Sequence, residues 1–364
     1  MVFSKQKKRI AKVRFTFFLY EVALVFVFLF ILLIIPIFLI PLIVEEGTVI
    51  YGILFYVIRA VIVFLGIPLI LYLTNLLFES QKKIILDEDI SPSTGHLKLF
   101  KMTKKNYKYQ ILYGFLIFFV VFLPLDFFIS LLIPETIQFQ AIVLGSRTTN
   151  LYLVTENYII FLISSIIIQF SVALTEETVA RGFFTKRGSE YFFTMSAVMI
   201  SSLYFGLGHL AYLIDLISWY PFIWFMQTFI VGIILALFVV RKKWILPVII
   251  AHALHNIVSA HIIWSFWQEA PYFSFQTVTF FIYIPLFIIG ILFVAVCLLL
   301  VWDFSDLKEG LSNGFIMLKT YFKRDSNELK QDSKEITKGD TFFRIFIDII
   351  IAILIFILSM LIAI

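Results

Sequence analysis

The chain has 364 residues, of which 61% are hydrophobic, 18% aromatic and only 15% charged, with a mean hydropathy of +1.01. Soluble domains run nearer a quarter charged, so this composition excludes a water-soluble globule and places the protein in a lipid bilayer. The net charge of +5 sits in cations grouped between apolar runs, which argues against a nucleic-acid partner, and the single cysteine, Cys297, excludes an intrachain disulfide or a cysteine-based metal site.

Nine apolar runs long enough to cross a bilayer core predict an all-α, polytopic membrane helix bundle. In chain order they lie near 15–44, 50–78, 111–133, 157–180, 191–213, 219–240, 244–264, 277–301 and 342–364. The basic cluster Lys5, Lys7, Lys8, Arg9, Lys12 and Arg14 precedes a run that is too long for a signal peptide and lacks a small-residue cleavage pattern, so it reads as an uncleaved anchor.

Cations also crowd the linkers 79–109, 182–190, 241–243 and 303–341, whereas the linkers around Glu45, 134–156, 214–218 and 265–276 hold one basic residue, Arg147. Cytoplasmic loops carry the excess of Lys and Arg, so the N-terminus is expected in the cytoplasm and the C-terminus outside, in a multi-pass protein of a bacterial plasma membrane. The charged linker 303–341 reads as solvated, with Phe315, Ile316, Leu318 and Phe322 forming a short interfacial helix within it. No internal repeat, phosphate-binding glycine loop or low-complexity tract is evident. The chain divides into 1–149 with three helices, 150–265 with four, and 266–364 with two.

Against this apolar background the fourth run ends in Glu176-Glu177-Thr178-Val179-Ala180-Arg181. An ionised group at the centre of a spanning helix costs about 2.5–3.5 kcal/mol on insertion scales, so such groups face a protein interior or a wet cavity. At i and i+4, Glu177 and Arg181 share a helix face, while Glu176 points away. Glu177 is therefore expected to be the ion-paired carboxylate, and Glu176 the one nearer a working general base.

Of five histidines, His209, His252, His255 and His261 lie in apolar runs, and His96 lies in a cytoplasmic loop. His252 shares a face with Asn256. A base, an imidazole that carries protons and a neutral amide that donates to an oxyanion suffice for peptide hydrolysis by water. His255 and His261 read as packing groups, as do the isolated Glu21, Arg59 and Asp126.

Three spaced motifs resemble the CPBP group of intramembrane proteases, also called the Abi or CAAX-protease-like group, which includes the Ras-converting type of prenyl-protein endopeptidase. Glu176-Glu177 with Arg181 fits EExxxR, Phe205 with His209 fits FxxxH, and His252 with Asn256 fits HxxxN. The resemblance covers residues 150–265. It implies proteolysis within the membrane by a glutamate-activated water, with Glu176 as base and His209 holding or activating the water. His252 and Asn256 would form the oxyanion site, supported by Glu177, Arg181 and Phe205.

The implied partners are a membrane-associated or lipidated peptide or protein and the bilayer itself. Bacterial relatives are associated with peptide maturation, bacteriocin immunity and signalling. No cofactor is expected. The alternative is zinc held by Glu176, His209 and His252, which would meet the three-ligand count of a catalytic site, although no HExxH signature occurs. Two other classes stay open, a catalytically silent binding or immunity factor and a proton-coupled transporter. Glu176, His209 and His252 are expected to converge in one cavity that opens inward, with cleavage near the cytoplasmic leaflet.

Overall fold

The structure, a computed structural model, describes residues 5–87, 93–213, 218–268, 274–300, 304–323 and 338–362. These are helical nearly throughout, with no strand among them. Nine of the helices are long and apolar enough to span a membrane: α1 Lys5–Leu42, α2 Val49–Leu86, α3 Tyr107–Leu132, α5 Tyr158–Tyr191, α6 Thr194–Leu213, α7 Tyr220–Lys242, α8 Leu246–Gln268, α9 Phe275–Leu299 and α11 Lys338–Met360. Two others do not span. Helix α4, Glu135–Gly145, lies in the linker after α3, and α10, Phe304–Phe322, precedes α11.

Local chemistry sets several boundaries. Thr48 caps α2 by accepting from the Tyr51 N–H, and Asn157 caps α5 by accepting from Ile159 and Ile160. Pro221 occupies the first turn of α7, where its missing donor is harmless, and Lys243 ends that helix in the left-handed region at φ 56°.

Where the structure departs from the apolar runs, it does so at charged helix ends. The expected linker 182–190 is helical, because α5 continues to Tyr191, and α2 continues to Leu86 through part of the expected linker 79–109. Hydropathy falls at these charges, but partners inside the fold neutralise them. The buried Arg187 meets Glu21 at 2.8 Å and Glu190 at 2.7 Å, and Lys82 meets the same Glu21 at 2.7 Å. Tyr191 also donates to Glu21, at 2.5 Å. Glu21 is thus the common acceptor that ties α1 to α2 and α5. A second buried knot joins α1 to α11 through Arg14 and Asp348 at 2.5 Å, with Tyr321 of α10 donating to Asp348 at 3.0 Å.

Helix α10 contains the expected interfacial stretch. Phe315, Ile316 and Phe322 are exposed, while Leu318 packs with Met195 and Val198. Residues 324–337 of that linker lie outside the described residues.

Two apolar cores flank the centre of the bundle. One unites Phe17, Val25, Ile67, Phe184, Ile200 and Ile351 from α1, α2, α5, α6 and α11. The other unites Phe118, Phe122, Leu235, Val248, Ala253 and Tyr283 from α3, α7, α8 and α9. Between them α6 and α7 pack at backbone distance, since a Cβ on Gly232 would lie 3.1 Å from the Ser202 Cα. This places α5, α6 and α8, which carry the three motifs, around a shared interior.

Candidate active site

Helix α5 delivers Glu176 and Glu177 immediately before a wider π turn, Thr178–Thr185. Such turns disturb the i→i−4 ladder and leave carbonyls needing other donors. Here the Ala180 carbonyl accepts from Thr185 Oγ1 at 3.0 Å and from Ser201 Oγ of α6 at 2.6 Å. The distortion is therefore satisfied internally and locked to the neighbouring helix.

The two glutamates part company. Glu177 is fully buried, and its Oε1 accepts from Arg181 Nη1 at 3.2 Å and from His252 Nδ1 at 2.8 Å. The Arg181 guanidinium lies 4.3 Å from the centroid of the Phe205 ring, a cation–π contact worth most in a desolvated site. Glu176 keeps 42% of its side chain exposed, and its Oε2 lies 3.6 Å from His252 Nε2. That exceeds a direct hydrogen bond, and one water can sit within reach of both atoms.

The hydrogen bonds also fix both imidazole tautomers. An ionised carboxylate only accepts, so His252 carries its hydrogen on Nδ1 and turns a bare Nε2 to Glu176. His209 Nδ1 lies 3.1 Å from the Phe205 carbonyl, which likewise only accepts, so the His209 Nε2 is also a free acceptor. Phe205 spaces the pair, its ring centroid 5.6 Å from that of His209 and 5.8 Å from that of His252.

Glu176, His209, His252 and Asn256 all line one cavity of about 500 Å³. Counting from Arg187 puts the histidines at different depths, but α5 is 34 residues, about 51 Å, long, and it carries its charged end well past a core of roughly 30 Å. Arg187 is thus a poor depth marker. The sequence expectation of an inward opening rests on the positions of Glu176 and His252. From the cavity's floor at Glu176 and His252, its wall continues through Gln140, Arg147 and Asn150 and through Tyr212, toward the linkers that are poor in cations.

Sequence reasoning passed over several residues of this cavity. Arg59 and Asp126, each isolated in its run, both line it. Asp126 accepts from Tyr283 at 2.9 Å and from Gln227 at 3.4 Å, contacts between distant helices that no local spacing discloses. Arg59 forms no ion pair among the described residues, an unusual state for a cation within a spanning helix. His255 also lines the cavity, its ring stacked on Phe122 at 4.8 Å, whereas His261 packs outside it among Tyr158, Phe161 and Trp264. Tyr204 and Trp224, unremarkable as letters, complete the wall beside Glu176 and His209.

The zinc alternative calls on Glu176, His209 and His252 as its ligands. Among the described residues no three His, Cys, Asp or Glu side chains gather at metal-holding distances. No step is therefore routed through a metal.

No curated protein and no solved structure matches the chain. Residues 155–258 match the family described as Type II CAAX prenyl endopeptidase Rce1-like. This interval contains all three motifs and the helices that frame the cavity floor. The protein thus carries at its centre an Rce1-like domain of the CPBP, or CAAX-protease-like, group, a family of membrane-embedded peptidases.

Proposed function

We propose that the cavity hydrolyses a peptide bond of a membrane-associated peptide or lipoprotein with a water activated by Glu176. One observation supports this above the rest: of two adjacent glutamates, one is spent on structure and the other faces the cavity with an acceptor nitrogen beside it. Glu176 takes one proton from a water whose other hydrogen is donated to the free Nε2 of His209. The water oxygen adds to the carbonyl carbon, and the oxyanion accepts from the Asn256 amide. His252 joins it as a donor when its Nε2 has first taken a proton from the cavity solvent, a proton it keeps through the cycle with Glu177 as counter-charge. Collapse breaks the C–N bond, and Glu176 returns its proton to the leaving amine. Base catalysis contributes roughly 10²–10⁴ in rate, and an oxyanion donor about 10²–10³. Arg59 is the receiving charge for an anionic group of the substrate.

The deciding experiment is cleavage of a panel of quenched fluorescent lipopeptides and membrane peptides by the wild type and by Glu176→Gln, each with and without a chelator. Cleavage by the wild type, abolished in Glu176→Gln and indifferent to chelation, supports the proposal. Cleavage retained in the variant would overturn it. A silent binding or immunity factor would keep its cellular phenotype in the variant, which separates that class from an enzyme.

A further inference from the structure

The cavity wall is one-sided. It is drawn from α2 no further than Arg59, from α3 beginning at Phe122, and from α5 ending at Glu176. It draws on α6 from Tyr204 onward, on α7 no further than Val231, and on α8 from His252 onward. Among the described residues, none in 60–121, 177–203, 232–251 or 264–355 lines it. Those intervals hold the opposite ends of the same helices, including the cation-rich stretches Lys82–Lys108, Lys186–Arg187 and Arg241–Lys243.

That opposite end is filled. Just past Glu176, Glu177, Arg181 and Thr185 are fully buried. The segment Gly95–Phe100 docks so closely there that a Cβ on Gly182 would lie 2.4 Å from the Cβ of His96. Beyond it lies the buried knot of Glu21, Lys82 and Arg187. Charge sorting places the cation-rich ends in the cytoplasm.

We infer that the cavity is loaded from the non-cytoplasmic side of the membrane, so that its substrate is a peptide or lipopeptide already delivered across the bilayer. The chemistry that supplies such a substrate is export, and the product is released on the outer side. The identity of the substrate rests on the peptidase function proposed above, but the side of access does not.

Cys297 is the chain's single cysteine, so replacing it by Ala leaves a background for single-cysteine variants labelled with a membrane-impermeant maleimide. Ser259→Cys and Gln140→Cys report the cavity. The exposed positions Glu46, just before α2, and Ser80, toward its other end, serve as Glu46→Cys and Ser80→Cys controls for orientation.

In intact cells, Glu46→Cys and at least one cavity variant are expected to label while Ser80→Cys does not, with loss of the cavity signal in sealed inverted vesicles. Cavity labelling only in inverted vesicles overturns the inference, as does the absence of labelling at both cavity positions in intact cells, or a reversed control pair. Labelling does not depend on turnover. A protein that labels as expected but cleaves no peptide would sink the peptidase proposal and leave the access route standing.

Discussion

His252 Nδ1 lies 2.8 Å from a Glu177 oxygen that also receives Arg181 at 3.2 Å, so a single carboxylate oxygen sets both the tautomer of the imidazole and the seat of the guanidinium. Glu177→Gln keeps the shape but leaves Arg181 buried without its counter-ion, a change that typically costs about 3–5 kcal/mol. The expected outcome is a lower unfolding temperature in detergent together with lost cleavage. Adding Arg181→Met should restore much of the stability but not the rate, because a neutral amide cannot balance the charge on a protonated His252. Recovery of both would show that Glu177 serves stability alone.

Glu176→Gln is expected to behave in the opposite way. The side chain is half-exposed and forms no buried ion pair, so stability should change by no more than about 0.5 kcal/mol, while the cleavage rate falls by roughly 10²–10⁴. Thermal unfolding and initial rates on the same preparation check the two halves of this statement.

Arg59→Gln should raise KM for substrates that carry an anionic group and leave kcat nearly unchanged. A hydrogen bond to a charged group is worth about 1.5–3 kcal/mol, which corresponds to a change of roughly tenfold to a hundredfold. Comparing peptides with a free and an amidated C-terminus, with and without added phospholipid, tells a carboxylate from a lipid phosphate. Equal KM values for all of them in wild type and variant would remove Arg59 from recognition.

His96 lies outside the spanning segments, fully buried between Phe64 and Phe100, and burial holds its ring down to about 4 from an ordinary value near 6.5. As pH falls, the unfolded chain takes up the proton first. The stability contributed by the neutral ring is complete above about pH 6.5 and is lost progressively down to about pH 4. His96→Phe should flatten this part of the stability profile in detergent. An unchanged slope would assign the acid sensitivity to other groups.

The nine spanning helices were legible because an apolar residue in lipid needs no partner, so each run declares itself from its own letters. The spacing of Glu177 and Arg181 was legible for a similar reason, since i and i+4 meet on any helix. The true reach of α5 was not, because Arg181 and Arg187 lower the local hydropathy while Glu177, Glu190 and Glu21 neutralise them inside the fold. Arg59 and Asp126 were equally opaque. Each stands isolated in its apolar run, and only the packing of α2, α3, α7 and α9 shows that one lines the cavity with no ion pair among the described residues and the other is held by Gln227 and Tyr283. The expectation of an inward opening rested on the positions of Glu176 and His252, which mark one end of the cavity and say nothing of the wall that Gln140, Arg147 and Tyr212 add from linkers distant in sequence.

The π turn Thr178–Thr185 couples chain length to aim. Its far end is fastened through Arg187 to Glu21, and its near end carries Glu176. Removing one residue between them would rotate Glu176 by about 100° relative to that anchor, swinging the carboxylate away from His252. A deletion that a surface loop would absorb without effect becomes here a change of angular phase. The eight residues of this turn act as a fixed gear between a structural knot and the cavity.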